Sequence, residues 1–173
     1  MIIAQAALAL LFAWIMVSAG LTKLRAPDAA AATIDAYAVL PSGSGSFLAA
    51  PLGCLEIAGG FAIVLPSTRT LGALTVAALI LIYTAAIILR LWRGGADIDC
   101  GCAPHTGRVP VSRGLVARNG VLFLASLVVT LPLPDSVMSA HQWLVAGVLA
   151  VLGVWTYELA NALLAWMRWP ADD

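Results

Sequence analysis

Charge is scarce in this chain. Aspartate, glutamate, lysine and arginine make up 10% of its 173 residues, against about 25% in an ordinary soluble domain. So few charges cannot cover a globular surface, and a free-standing soluble domain is excluded. What charge there is cancels, with 9 basic and 9 acidic residues. Neither nucleic acid nor an acidic substrate is therefore indicated as a partner. Cysteine is scarce too. Cys54, Cys100 and Cys102 are too few for a disulfide scaffold and must be argued one at a time. The N-terminal apolar run lacks the basic start and A-x-A site of a cleavable signal peptide and reads as a membrane span. There is no internal repeat and no low-complexity tail.

What is present is mostly apolar: 62% hydrophobic residues and a mean hydropathy of +0.98. A membrane helix needs about 20 largely apolar residues. Five stretches qualify, at 2–21, 49–65, 70–91, 115–131 and 143–166. The expected fold is all-α, a polytopic membrane helix bundle of about five transmembrane helices forming one domain over 1–173. The connection between the first two spans holds Ile34, Tyr37, Ala38 and Val39 at loose helical spacing, ended by Pro41 and "SGSGS". It predicts a short amphipathic helix on the bilayer surface. "PSTR" between spans two and three is a tight turn, which makes those helices antiparallel neighbours.

Five spans put the termini on opposite sides, here called side A (N-terminal) and side B. The 93–114 loop between spans three and four then lies on side B. It carries "GGADIDCGCAPHTG", the one stretch that looks chemical. The same alternation puts Lys23, Cys54, Glu56, Arg118, Asn119, Glu158 and Asn161 in the side-B half of the bilayer. Ionisable groups at mid-bilayer cost about 2.5 kcal/mol or more each, so they persist when paired and turned inward. Lys23, Arg118, Asn119, Glu158 and Asn161 are expected to form a structural polar cluster, with Lys23, Arg25 and Arg118 as the cations available to Glu56 and Glu158. Glu158 and Asn161 are three apart and share a helix face. Glu56 lies two residues from Cys54, and proton handling for a thiol is as open a role for it as a structural one.

Cys54, expected about a turn below the side-B surface, is by default a small hydrophobe. A C-x-C pair in a water-facing loop is harder to dismiss. A disulfide between Cys100 and Cys102 is strained, and strain raises its reduction potential, so it is readily given away. Gly101 supplies the backbone freedom such a ring needs. The nearby arginines favour the thiolate, and Asp97 and Asp99 oppose it. A metal site at Cys100, Cys102 and His105 ranks lower, because no C-x2-C or H-x3-H spacing is present.

The residues also resemble a family. "AGLTKLRAP" ending span one, "YAVLP" in the surface segment, "CLEIAGG" in span two, "DIDCGC" after span three and "RNGVLF" opening span four run in order along most of the chain. Together they are similar to the MauE family of methylamine-utilisation proteins, within the wider DoxX-like group. Where members often continue CGC with Phe-Gly, this chain has Ala103-Pro104-His105. The resemblance implies a bacterial inner-membrane protein that helps mature the disulfide-rich small subunit of methylamine dehydrogenase, together with a thioredoxin-like (MauD-like) partner. On that reading Cys100 and Cys102 exchange a disulfide with the partner and Cys54 is a third thiol that resolves it. No cofactor is identified; a quinone acceptor is open by analogy with membrane disulfide oxidases, but no residue argues for it.

Charge and family disagree on orientation. Side B carries Lys23, Arg25, Arg90, Arg93, Arg108, Arg113, Arg118 and Arg168, and side A only Arg69. The positive-inside rule puts side B in the cytoplasm, whereas disulfide work on a secreted subunit calls for side B outside. The rival readings are a non-catalytic membrane anchor that docks the partner, and a metal or small-solute handler built on Glu56, Arg118 and Glu158.

Overall fold

In the computed structural model, which describes residues 1–94, 111–131 and 138–166, the chain folds as six helices. They are α1 (Ile2–Arg25), α2 (Pro27–Ala36), α3 (Ser44–Ala62), α4 (Arg69–Trp92), α5 (Arg113–Val129) and α6 (Ala140–Trp166), with no strand among the described residues. Helices α1, α3, α4 and α6 are long and apolar enough to cross a membrane. α5 has 17 residues, at the short end of the spanning range of about 17–25. It still runs the depth of the bundle. In its first half Asn119 donates to Thr84 of α4 at 3.1 Å. At its C-terminal end the Gln5 side chain of α1 donates to the carbonyls of Val128 and Leu131 at 3.0 and 3.2 Å. Those bonds satisfy carbonyls that a helix end leaves open.

α1 is the spine. Its buried positions, from Gln5 and Ala9 through Phe12, Ile15 and Met16 to Ala19 and Gly20, fall at helical spacing and meet α3, α5 and α6. Small residues set the closest approach. A Cβ on Gly20 would stand 2.5 Å from the carbonyl oxygen of Gly53, and one on Gly60 would stand 3.2 Å from that of Ala13. The two contacts run in opposite chain directions, so α1 and α3 are antiparallel, held backbone to backbone as small residues allow in membranes. α6 runs beside α1 in the same direction, with Ala146 against Ala6 and Ala7 and Gly153 against Leu11.

Side B is tied together by local chemistry. Pro27 drives Ala26 out of the helical region (φ −133°, ψ 67°) and opens α2 at its own first position. Asp35 then caps α3 across the turn, accepting from the backbone N–H groups of Gly43 and Gly45 at 3.1 and 2.9 Å. Gly43 sits at φ 90°, which glycine adopts without strain. The surface helix is shorter than the sequence pattern suggested. It stops at Ala36, and Ala38 turns to φ 50° with its carbonyl held by Arg93. α3 begins five residues before the expected span, at Ser44. That places Cys54 ten residues, nearly three turns, inside the helix rather than one.

Candidate functional site

The antiparallel pairing of α1 and α3 explains the first half of the site. Helical side chains tilt toward their own N-terminus. Lys23, in the last turn of α1, therefore points down into the bundle, and Glu56 of α3 points up toward it. The Lys23 ammonium donates to both carboxylate oxygens of Glu56, at 2.8 and 2.9 Å. The Tyr83 hydroxyl of α4 donates to Oε1 of the same carboxylate at 2.5 Å. Lys23 Nζ also stands 5.5 Å from the centre of the Tyr83 ring. Glu56 is fully buried and Lys23 nearly so, their side chains 1% and 12% exposed. A carboxylate this deep survives only with such partners, since breaking a buried pair costs about 3–5 kcal/mol.

Arg118 organises the second half from α5. Its Nε and Nη2 donate to the amide oxygen of Asn119 at 3.2 and 2.8 Å, and its Nη1 donates to that of Asn161 on α6. The guanidinium lies over the Tyr157 ring, 5.1 Å from its centre. Asn119 passes its own amide hydrogens to Thr84 of α4. Between the two halves is a cavity of about 30 Å³. Lys23, Glu56, Tyr83, Arg118, Asn119 and Tyr157 form its polar wall, and apolar side chains such as Phe12 and Leu122 form the rest.

The structure brings together Lys23, Glu56, Arg118, Asn119 and Asn161. It does not bring Glu158 into an ion pair: its carboxylate oxygens have no hydrogen-bond partner among the described residues. Nor does it bring Cys54 to Glu56. Two residues are about 200° of helix, so Cys54 faces outward and is exposed while Glu56 is buried. Glu56 is engaged by an ammonium and a phenol rather than a thiol. Cys100 and Cys102, with Asp97, Asp99 and His105, lie outside the described residues. The flanks of their loop are described. Ile87, Val111 and Leu115 are buried in one cluster at its base, and Ser112 caps α5 by accepting from Leu115 N–H at 3.3 Å.

Tyr83, Thr84, Tyr157 and Gln5 are site or packing residues that sequence reasoning missed. The signal for the first two was present. "YT" interrupts "LILIYTAAIIL", the most apolar of the spans, and a hydroxyl pair at mid-span needs partners.

Comparison with known proteins gives the same picture a family. The family model for methylamine utilisation protein MauE matches residues 1–132. The chain is 32% identical over 158 residues to methylamine utilization protein MauE of Paracoccus denitrificans, covering 91% of this chain and 85% of that protein. It is 31% identical over 165 residues to the protein of the same name from Methylophilus methylotrophus, covering 90% and 83%. No solved structure matches. With most of its length aligned to both relatives, and its bundle built from the segments that match, this chain belongs to the MauE family of methylamine utilisation proteins.

Proposed function

We propose that this chain is a multi-pass accessory protein of methylamine utilisation in the bacterial cytoplasmic membrane. Within that role it exchanges a disulfide through Cys100 and Cys102 with a thioredoxin-like partner during maturation of the small subunit of methylamine dehydrogenase. The observation that carries the reading is the anchoring of the CGC segment. It leaves α4 just after Arg93, bonded to Ala38, and rejoins at the capped start of α5 over the buried Ile87, Val111 and Leu115. Both attachments are at the end of the bundle that holds the Lys23–Glu56–Tyr83 network. The two flanks of the segment that carries the thiol pair are thus held at one end of the bundle.

Each exchange step balances between the two proteins, and a second disulfide-bearing protein serves as the oxidant that renews the pair. A partner thiolate attacks a Cys100–Cys102 disulfide; an intermolecular S–S bond forms as the intramolecular one breaks. The partner's second thiolate then attacks the mixed disulfide. The partner leaves oxidised, and Cys100 and Cys102 are released as thiols, having accepted two electrons. The same two steps in reverse with another, disulfide-bearing donor, which takes the two electrons, restore the Cys100–Cys102 disulfide. Cys54, outward-facing and nearly three turns inside α3, is given no part in this relay. Work on a secreted subunit requires side B to face away from the cytoplasm. Two of the side-B cations, Lys23 and Arg118, are consumed inside the bundle and drop out of the charge count. The remaining excess still points the other way, which makes orientation a sharp test.

The experiment is a trapping assay. Cys102→Ser leaves Cys100 able to attack an oxidised partner, and with the partner's second cysteine also replaced nothing resolves the mixed disulfide, so a non-reducing gel of membranes should show Cys100 joined to the thioredoxin-like protein. The double variant Cys100→Ser/Cys102→Ser should lose that band and leave the dehydrogenase small subunit immature. Full maturation with the double variant would refute exchange and leave a docking role.

A further inference from the structure

We propose that the cavity at the centre of the bundle binds one small monovalent anion of halide size. The argument is from charge. Lys23 and Glu56 neutralise each other through two short bonds. Arg118 then remains as a full positive charge on the cavity wall, with no carboxylate partner among the described residues. The groups turned toward it are amide oxygens and an aromatic face, which are dipoles and a quadrupole rather than counter-charges. A guanidinium has five N–H donors; three are engaged, which leaves two without an acceptor among the described residues. An uncompensated charge inside a membrane bundle is costly, and admitting a negative ion removes that cost.

Sign and size select the ligand. Two cations and one carboxylate face the cavity, which disfavours metal cations and alkylammonium ions. A volume of about 30 Å³ has room for one halide ion or one to two waters. Arg118 reaches from α5 to Asn161 on α6. The other source of negative charge is Glu158, on α6 beside Tyr157, whose carboxylate lacks a hydrogen-bond partner among the described residues.

The test is equilibrium binding of radiolabelled chloride to the purified full-length chain in detergent, with gluconate as the background salt. The expected result is saturable binding to the wild type, weakened about tenfold or more in Arg118→Gln, the loss expected when a charged hydrogen bond is removed. Ala19→Leu places bulk in the cavity without touching a charge, and should weaken binding as well. It carries the test if Arg118→Gln does not fold. Absence of saturable binding, or binding unchanged in both variants, would overturn the site. Chloride binding that appears only in Glu158→Gln would also overturn it, and would assign the counter-charge to Glu158.

Discussion

The ammonium of Lys23 is held between both oxygens of Glu56, at 2.8 and 2.9 Å, although 33 residues separate them. It is the one ion pair among the described residues, and it ties the end of the central helix α1 to the middle of α3. A charge pair this far inside the bundle contributes more to specificity of packing than to net stability, because desolvation offsets most of the attraction.

Breaking that pair from one side is therefore expected to be worse than removing it whole. Lys23→Met leaves a buried carboxylate with only Tyr83, and should destabilise the protein by about 3–5 kcal/mol. Lys23→Met with Glu56→Leu should recover a large part of the loss. Thermal unfolding in detergent of the single and double variants checks this. A double-variant loss equal to the sum of the Lys23→Met and Glu56→Leu losses would show that the pair is not coupled.

Tyr83→Phe isolates one hydrogen bond of the same network. The ring and its stacking under Lys23 remain, and the bond to Glu56 Oε1 is lost. A hydrogen bond to a charged group contributes about 1.5–3 kcal/mol, so a fall of that order in unfolding free energy is expected. Cys54→Ala, on the outward face, should leave both stability and disulfide exchange close to wild type. A trapped mixed disulfide in Cys54→Ala would return that thiol to the relay.

Two glycines should answer oppositely to alanine. At Gly20 a methyl group would meet the Gly53 carbonyl oxygen at 2.5 Å, and backbone must move. Overpacking of this kind costs typically about 1–3 kcal/mol. At Gly120 nothing lies within 4 Å of the added carbon, so Gly120→Ala should stabilise α5 by about 0.5–1 kcal/mol through helix propensity alone. Parallel melting curves of the two variants decide it, and a Gly20→Ala protein as stable as wild type would contradict the backbone-to-backbone packing of α1 and α3.

The bundle was legible in the sequence because long apolar runs have few other uses, and the alternation of direction follows from connection lengths alone. Lys23, Glu56, Arg118, Asn119 and Asn161 were legible as a cluster for the same reason: alternation puts them at one level, and charge at that level needs partners. How they pair was not legible. Glu56 and Cys54 are neighbours in sequence, yet the helix turns them to opposite faces. Glu158 looked like a natural mate for Arg118, but Arg118 is taken up by two amides. Tyr83 passed for one more apolar residue in a long apolar span, although its hydroxyl beside that of Thr84 marked a break in the run. The edges of the surface helix depended on a tie from Arg93 to Ala38, which joins segments 55 residues apart and leaves no local signal.

Labelling of Cys100 and Cys102 by a membrane-impermeant maleimide in intact cells, with and without prior reduction, tests the proposed function most directly. Disulfide exchange on the outer face predicts that both residues label from outside, and that reduction is needed for part of the population. No labelling until the cells are opened, with both thiols then free, would put the loop in the cytoplasm and contradict disulfide exchange with a secreted subunit.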